Sequence, residues 1–237
     1  TEIILSECDP DGWAAGSVRE NPNFQYRNTE YYASYFAVTA CRLLDLSGEN
    51  GIRTAGMLTW AFEFEEREYF AGLRTLSTNG VDKPVLNAFR LVSQLRGRRA
   101  RVEVSPLEPP TGRSGEHLAA VAAVGDGGEI QLLIVHHHDD WDTKNGADVR
   151  LSISVPAPAR EFRVEEIIVD EESSNSYSAW SKLGRPKDPT VEELAEMNRR
   201  AMVSVTQRDL AYDSAPLTME LHLRSHAVHL LRIRPLR

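Results

Sequence analysis

Glu7 stands where a short apolar stretch, residues 3–6 (IILS), gives way to the Pro-, Gly- and Asp-rich loop CDPDG. In α/β barrels the active site forms at the carboxyl ends of the strands, where a carboxylate can serve as nucleophile or general base. A surface salt bridge at a strand end is the plainer use of the same residue. A second apolar run, 52–62, ends in TWAFEFEE, so Trp60 and the carboxylates Glu63, Glu65 and Glu66 fall at an equivalent edge. That combination suits a sugar. An indole stacks on the apolar face of a pyranose, and carboxylates accept hydrogen bonds from its hydroxyls. Taken singly, each favours the plainer reading, Trp60 as a core residue and the glutamates as a solvated loop.

The elements that must position these groups alternate between strand and helix. After the strand at 3–6, the segment RNTEYYASYFAVTACRLLDLSGENG spaces Tyr32, Phe36, Thr39, Ala40 and Leu43 as a helix does. Asn28 or Thr29 can cap it, Glu30 suits its first turn, and Gly48 or Gly51 ends it. The run 52–62 reads as a second buried strand, and KPVLNAFRLVSQL as a helix with Pro84 in its first turn, where a missing N–H costs nothing. This order is the α/β signature. Two such units cannot close a sheet, so the segment is expected to be the tail of a larger barrel or layered fold.

Beyond residue 95 the character changes. RGRRARVEVSPLEPPTGRSGE is basic, then rich in Pro and Gly, and reads as a boundary. Short apolar segments follow: HLAAVAAV, EIQLLIVHHHD, ADVRLSISVPAP, REFRVEEIIVD, and LTMELHLRSHAVHLLRIRPL, which alternates around Ser225. Their spacing predicts an antiparallel β-sandwich. One helix is expected to interrupt it, TVEELAEMNRRAMVSV, with Thr190 and Glu193 forming a capping box. The expected fold is therefore α/β followed by all-β, divided into residues 1–96 and 97–237.

Composition narrows the function classes. The 237 residues carry a net charge of −8, with 41% hydrophobic and 26% charged residues. An acidic chain without a basic domain argues against nucleic-acid binding, and the apolar runs are far too short to span a membrane. Cys8 and Cys41 form neither a disulfide framework nor a CxxC zinc motif, and are expected to serve as small apolar packing. A reducing, cytoplasmic compartment is slightly favoured over a periplasmic or secreted one. No cofactor is expected.

In order along the chain, ILSECDPDG, YRNTEYYASY, LTWAFEFEEREYFAGLRTLSTNGVDKPVLNAFRL and DEESSNSYSAWSKLGRPKDPT resemble the C-terminal part of glycoside hydrolase family 39, in particular its bacterial β-xylosidases. The resemblance implies the last two βα units of a (β/α)8 TIM barrel followed by an antiparallel β-sandwich. It implies that residues 3–6 are barrel strand seven, with Glu7 the catalytic nucleophile, and that strand eight is 57–62. Trp60 would floor the sugar subsite, with Glu65 and Glu66, then Glu63, gripping sugar hydroxyls. The implied reaction is retaining hydrolysis of a β-xyloside or xylose-containing oligosaccharide, acting at chain ends. It needs a second carboxylate roughly 5–5.5 Å from the first. In the family that acid/base is a Glu following Asn at the end of strand four. This sequence has no Asn-Glu-Pro, so the chain alone is expected to be inactive, with the remaining barrel segment or a second copy as its partner. The contrasting expectation is a non-catalytic carbohydrate-binding or structural sandwich module. The relatives also carry His where Ser173 stands.

Other motifs carry less. On a strand only His136 and His138 of HHHDD share a face, and the two aspartates suit a turn, so no metal site is expected. The His and Arg residues of the last segment fit the wet face of an antiparallel strand. There is no G-x-S-x-G, no Gly-rich phosphate loop, and GRRAR is too short to suggest nucleic acid.

Overall fold

The computed structural model describes residues 2–13, 15–105, 115–155, 159–212 and 216–236. Most of the Pro- and Gly-rich stretch expected as a boundary, 106–114, lies outside them. Strand β1 (Glu2–Leu5) leads through the CDPDG loop and a 3-10 segment (Pro22–Asn28) into helix α1 (Glu30–Asn50). Thr29 caps α1 by accepting from the Tyr31 N–H, and Gly51 ends it at φ 62°, a conformation that side chains disfavour. Strand β2 (Arg53–Met57) then returns parallel to β1, with Leu5 opposite Met57. The small hairpin β3 (Ser77–Thr78) and β4 (Val81–Asp82) precedes α2 (Pro84–Val92), which has proline in its first turn.

The second part of the chain is mostly strand: β5 (Arg98–Ala100), β6 (Glu116–Val124), β7 (Ile130–His138), β8 (Ala147–Ile153) and β9 (Glu161–Val169). Helices α3 (Ser176–Lys182) and α4 (Val191–Ala201) intervene before β10 (Val205–Ala211), β11 (Leu217–Leu223) and β12 (Ala227–Pro235). Six of these strands form an antiparallel sheet in the order β10-β9-β12-β7-β6-β5, and β11 pairs with β8 in a separate ladder.

The six-stranded sheet is covered on both faces. On one, α1 and α2 set Tyr32, Phe36, Cys41, Val85 and Leu91 against Leu133, Val135, Ile167, Val228 and Leu230. On the other, the β8–β11 pair sets Leu217, Met219, Leu221 and Leu223 against Leu132, Ile134, Phe162, Val164 and Leu231. Burial on both faces explains the continuous apolar run 132–135 at the centre of β7. Strand β11 is covered on one side only, so it alternates: its four apolar residues are buried, while Thr218, Glu220 and His222 face outward.

Several elements differ from expectation. The ladder of the second strand stops at Met57, not at residue 62. Leu58 still exchanges backbone hydrogen bonds with Leu5 and Cys8, but the rest of the run is loop, touching Thr75 through a single bridge at Ala61. Residues 3–6 are not buried: Ile3 and Ile4 are 38% and 59% exposed, because β1 pairs only with β2 among the described residues. Two helices interrupt the sheet rather than one, and the second ends at Ala201. The capping box of Thr190 and Glu193 is present. Strand β10 gave no sequence signal because it is an edge strand with all but one residue exposed. The histidines of the last segment are not uniformly wet, since His226 and His229 are 1% and 2% exposed. His226 is folded in at the β11–β12 turn, and His229 lies in the centre of the sheet beside Glu166. Among the described residues, no helix is long and apolar enough to cross a membrane.

Candidate active site

Three carboxylates alternate in ECDPDG, and their surroundings treat them differently. The Asp9 side chain is 1% exposed and receives Arg74 Nη1 at 2.6 Å, the Thr59 hydroxyl at 2.8 Å and the Tyr32 hydroxyl. Asp11 takes the guanidinium of buried Arg27 on both oxygens, at 2.7 and 2.9 Å, and the Tyr26 hydroxyl. Both groups are committed to holding the loop. Glu7 has one partner among the described residues, Arg74 Nη2 at 3.3 Å, and its side chain remains 57% exposed. Two α1 tyrosines brace the same loop: Tyr32 through the Asp9 carboxylate, and Tyr35 through the Asp9 carbonyl at 3.1 Å. Burial and the neighbouring Asp9 push the Tyr32 hydroxyl well above its usual range, so it donates to Asp9 and remains neutral.

Arg74 links the loop to the second strand's edge. Its Nη1 also reaches the Asp11 carbonyl at 3.2 Å, and its guanidinium carbon lies 5.8 Å from the centre of the Trp60 ring. Arg27 reaches further round, to the carbonyls of Gly16 and Gly72 at 3.0 and 3.2 Å, with its guanidinium 3.8 Å from the Phe24 ring. Behind them Lys83 is fully buried and donates to the Leu73 carbonyl at 2.9 Å. Burial, then the Arg27 charge, pushes its amine down to about 7.

The second-strand glutamates do not converge. Glu63 accepts from the Ser77 hydroxyl and from the Gly80 N–H at 3.0 and 3.2 Å, which ties its carboxylate to the β3–β4 hairpin. Glu65 and Glu66 are exposed, and Glu66 sits at φ 55°. Trp60 packs 5.1 Å from Phe64 and, with Phe64, Glu66 and Arg19, lines a cleft of about 340 Å³. Thus Glu7 and Trp60 meet through Arg74, Glu66 shares the Trp60 cleft, and Glu63 serves the hairpin. Glu63→Ala is expected to lower unfolding stability by about 1–3 kcal/mol by leaving the Gly80 amide and Ser77 unpaired. Glu65→Ala and Glu66→Ala should stay within about 0.5 kcal/mol. Urea titrations of the three variants compare them directly.

A model of glycosyl hydrolases family 39 matches residues 5–210. The chain belongs to this family. It is 24% identical over 182 residues to a β-xylosidase of Caldicellulosiruptor saccharolyticus, a match covering 75% of this chain and 34% of that protein. Among solved structures, a bacterial orthologue of human α-L-iduronidase superposes with a TM-score of 0.76 at 20% identity, over 99% of this chain and 42% of the other. A monomeric β-xylosidase of Caulobacter crescentus gives 0.71 at 17%, over 99% and 45%. The chain therefore spans about a third of the curated relative and less than half of these structures, with which it shares the fold.

Within this family-39 frame, Arg74 is the residue that sequence reasoning missed. It lies 67 positions from Glu7 and no local pattern marks it. The alternation of Glu7, Asp9 and Asp11 marks the loop as acidic, but solvated loops share that pattern, and the pinning depends on Arg74 and Arg27. The DEESSNSYSAW segment does not reach Glu7. Asn175 caps α3 and donates to Glu30 at 3.0 Å, Ser176 donates to the Asp82 carbonyl at 2.6 Å, and Ser173 closes a turn on Asp170. In HHHDD, His137 faces α1 through Ser34 at 2.8 Å, while His136 faces away, to the Arg224 carbonyl and Glu116 at 3.0 Å each. Among the described residues no three His, Cys, Asp or Glu side chains could hold a metal.

Arg74→Met is expected to destabilise the fold by about 3–5 kcal/mol, because it leaves the Asp9 charge buried and uncompensated. Adding Asp9→Asn should recover part of that loss. Urea denaturation of the single and double variants checks it, and purely additive losses would show that the pair does not couple.

Proposed function

We propose that the chain is the nucleophile-bearing part of a retaining β-xylosidase of family 39. The observation that carries this is the accessibility of Glu7. Of the three acids in its loop it alone is not consumed by structure, and Arg74 orients it from one side only. In the reaction a Glu7 oxygen attacks the anomeric carbon as the bond to the leaving oxygen breaks. A second carboxylate protonates that oxygen and then activates water to release the sugar. Trp60 would stack beneath the sugar, Glu66 and Glu65 would accept from its hydroxyls, and Glu63 would contribute through the hairpin it fixes. The substrate class is a β-xyloside or the end of a xylo-oligosaccharide.

In this reading β1 and β2 are the last two strands of a (β/α)8 barrel, and residues 97–237 form the accessory sandwich. The parallel β1–β2 pair supports it, together with the exposed apolar side chains around that pair: Ile4 at 59%, Leu58 at 53% and Phe62 at 60%. Such a pair needs neighbours on its free edges. The rest of the barrel, with the acid/base, would supply them, and the chain by itself would not hydrolyse a xyloside.

The test uses a 2-deoxy-2-fluoro-xyloside with a good leaving group and the chain in its full coding context. One fluoro-xylosyl group is expected on the peptide bearing Glu7, located by mass spectrometry. A label on another carboxylate would remove Glu7 from the role. Turnover of a nitrophenyl xyloside by the 237-residue chain alone, abolished by Glu7→Gln, would overturn the incomplete-site reading.

A further inference from the structure

We infer that a second cleft, between the start of α1, helix α3 and the 139–146 loop, binds a neutral pyranose unit of an oligosaccharide. Trp141 would be its platform and Glu30 the acceptor at its floor. The inference rests on the carbohydrate reading above, but on none of the same side chains. The cleft has a volume of about 420 Å³, within the usual range for small-molecule sites of about 300–1,000 Å³. It shares no lining residue with the Trp60 cleft.

Its floor is polar and preformed. Glu30 is 6% exposed and fixed on one side by Asn175 Nδ2 at 3.0 Å from Oε2. The carboxylate also accepts from its own backbone N–H, and among the described residues Lys144 Nζ lies 3.8 Å from Oε1, too far for a hydrogen bond, so lone pairs remain for an incoming hydroxyl. The buried Ser181 hydroxyl, also lining the cleft, has no partner among the described residues. As it stands the oxygen is closed to solvent, so a χ1 turn toward the cleft would bring it to a sugar hydroxyl, which can both donate and accept. Tyr177 forms part of the wall. Half-buried Trp141 presents an indole with no ring or hydrogen-bond partner among the described residues.

The charges at the rim select a neutral ligand. Lys144 pairs with Glu171 at 3.1 Å, and Lys182 with Glu172 at 2.7 Å. Both lysines are thus engaged, and Arg185 at the rim lies over the Trp180 ring at 5.9 Å. Four acids, Glu30, Asp142, Glu171 and Glu172, line the cleft against three cations, which disfavours a phosphate, while Lys144 beside Glu30 disfavours a ligand cation. A ring with one apolar face and several hydroxyls matches the indole, the carboxylate and the orphan hydroxyl together.

The test is a titration of the 15N-labelled 237-residue chain with xylotetraose, following the indole signals of Trp13, Trp60, Trp141 and Trp180 and the backbone amide of Ser181. Saturable shifts of Trp141 and Ser181 with one common Kd are expected. Trp141→Ala should raise the Kd read at Ser181 about tenfold, the loss of one stacking contact. Motion of Trp60 with Trp141 and Ser181 silent would overturn this inference and leave the β-xylosidase reading standing. Silence at all positions would overturn the second site, while Glu7 labelling decides the catalytic reading separately. A Ser181 titration unchanged by Trp141→Ala would also overturn it.

Discussion

Glu7→Gln, in a chain that carries both catalytic carboxylates, is expected to lower kcat/KM for a nitrophenyl β-xyloside by on the order of 10⁴-fold or more. The amide keeps the shape of the side chain and an oxygen to accept from Arg74 Nη2, now 3.3 Å from the carboxylate. It cannot form the glycosyl ester, so the route through a covalent intermediate closes. Thermal stability should change little, because Arg74 retains Asp9 and the Asp11 carbonyl. That separation matters: a large kinetic loss with an unchanged melting temperature is what a nucleophile gives and a structural acid does not. Glu7→Ala extends the test. Azide admitted to the space should attack the anomeric carbon from the same face and yield the glycosyl azide of inverted configuration. A Glu7→Gln enzyme retaining activity within tenfold would remove Glu7 from the mechanism.

The acid at this position was visible in the sequence because position and chemistry coincide: an apolar run, a carboxylate, then turn residues. What was not visible is why Glu7 stays accessible while Asp9 and Asp11 are pinned, because that depends on Arg74 and Arg27, which come from distant segments and are buried by tertiary packing. The same division holds for the fold. Helices α1, α2 and α4 announced themselves through caps and spacing, all local physics. Strand β10 did not, since an exposed edge strand has no apolar face to produce a period. The stop of β2 at Met57 was illegible for a related reason. Apolar residues continue through Trp60 and Phe62, and only the absence of a partner strand among the described residues ends the ladder there. Glu63 shows the limit for sites. Its type fits a sugar as well as Glu66 does, yet the Gly80 amide and the Ser77 hydroxyl of the hairpin claim it.

Stability is expected to fall steeply as the pH drops from about 6.5 to 4.5, through histidines that hold α1 against the sheet. His137 and His226 stand 5.5 Å apart with Tyr31 about 5 Å from each, and His117 stacks on His137 at 6.0 Å. Burial, then neighbouring positive groups, holds His137 at about 3 and His226 at about 4, against 6.5 in an open chain. For His137 those neighbours are His226, His117, Arg42 and His138. For His226 they are His136, Lys144 and His138. Both folded values are depressed bases, so below pH 6.5 the unfolded chain takes up protons that the folded chain refuses. Stability is then complete above 6.5 and drains as the pH falls, by about 1.4 kcal/mol per pH unit for each histidine. Carboxylates held below their usual range, such as Glu166 beside His229, begin to cost stability only below about 4.5, so the upper window belongs to the imidazoles. Glu30 acts in the opposite sense, its carboxyl being raised by burial, and softens the acid end of the curve. His137→Phe keeps a ring packed against Tyr31 and His226, and the Ser34 hydroxyl keeps its bond to the Tyr31 carbonyl at 3.0 Å. It should therefore roughly halve the slope of unfolding free energy against pH between 6.5 and 4.5, measured by urea denaturation at half-unit steps. A slope that His137→Phe leaves unchanged would place the acid sensitivity elsewhere.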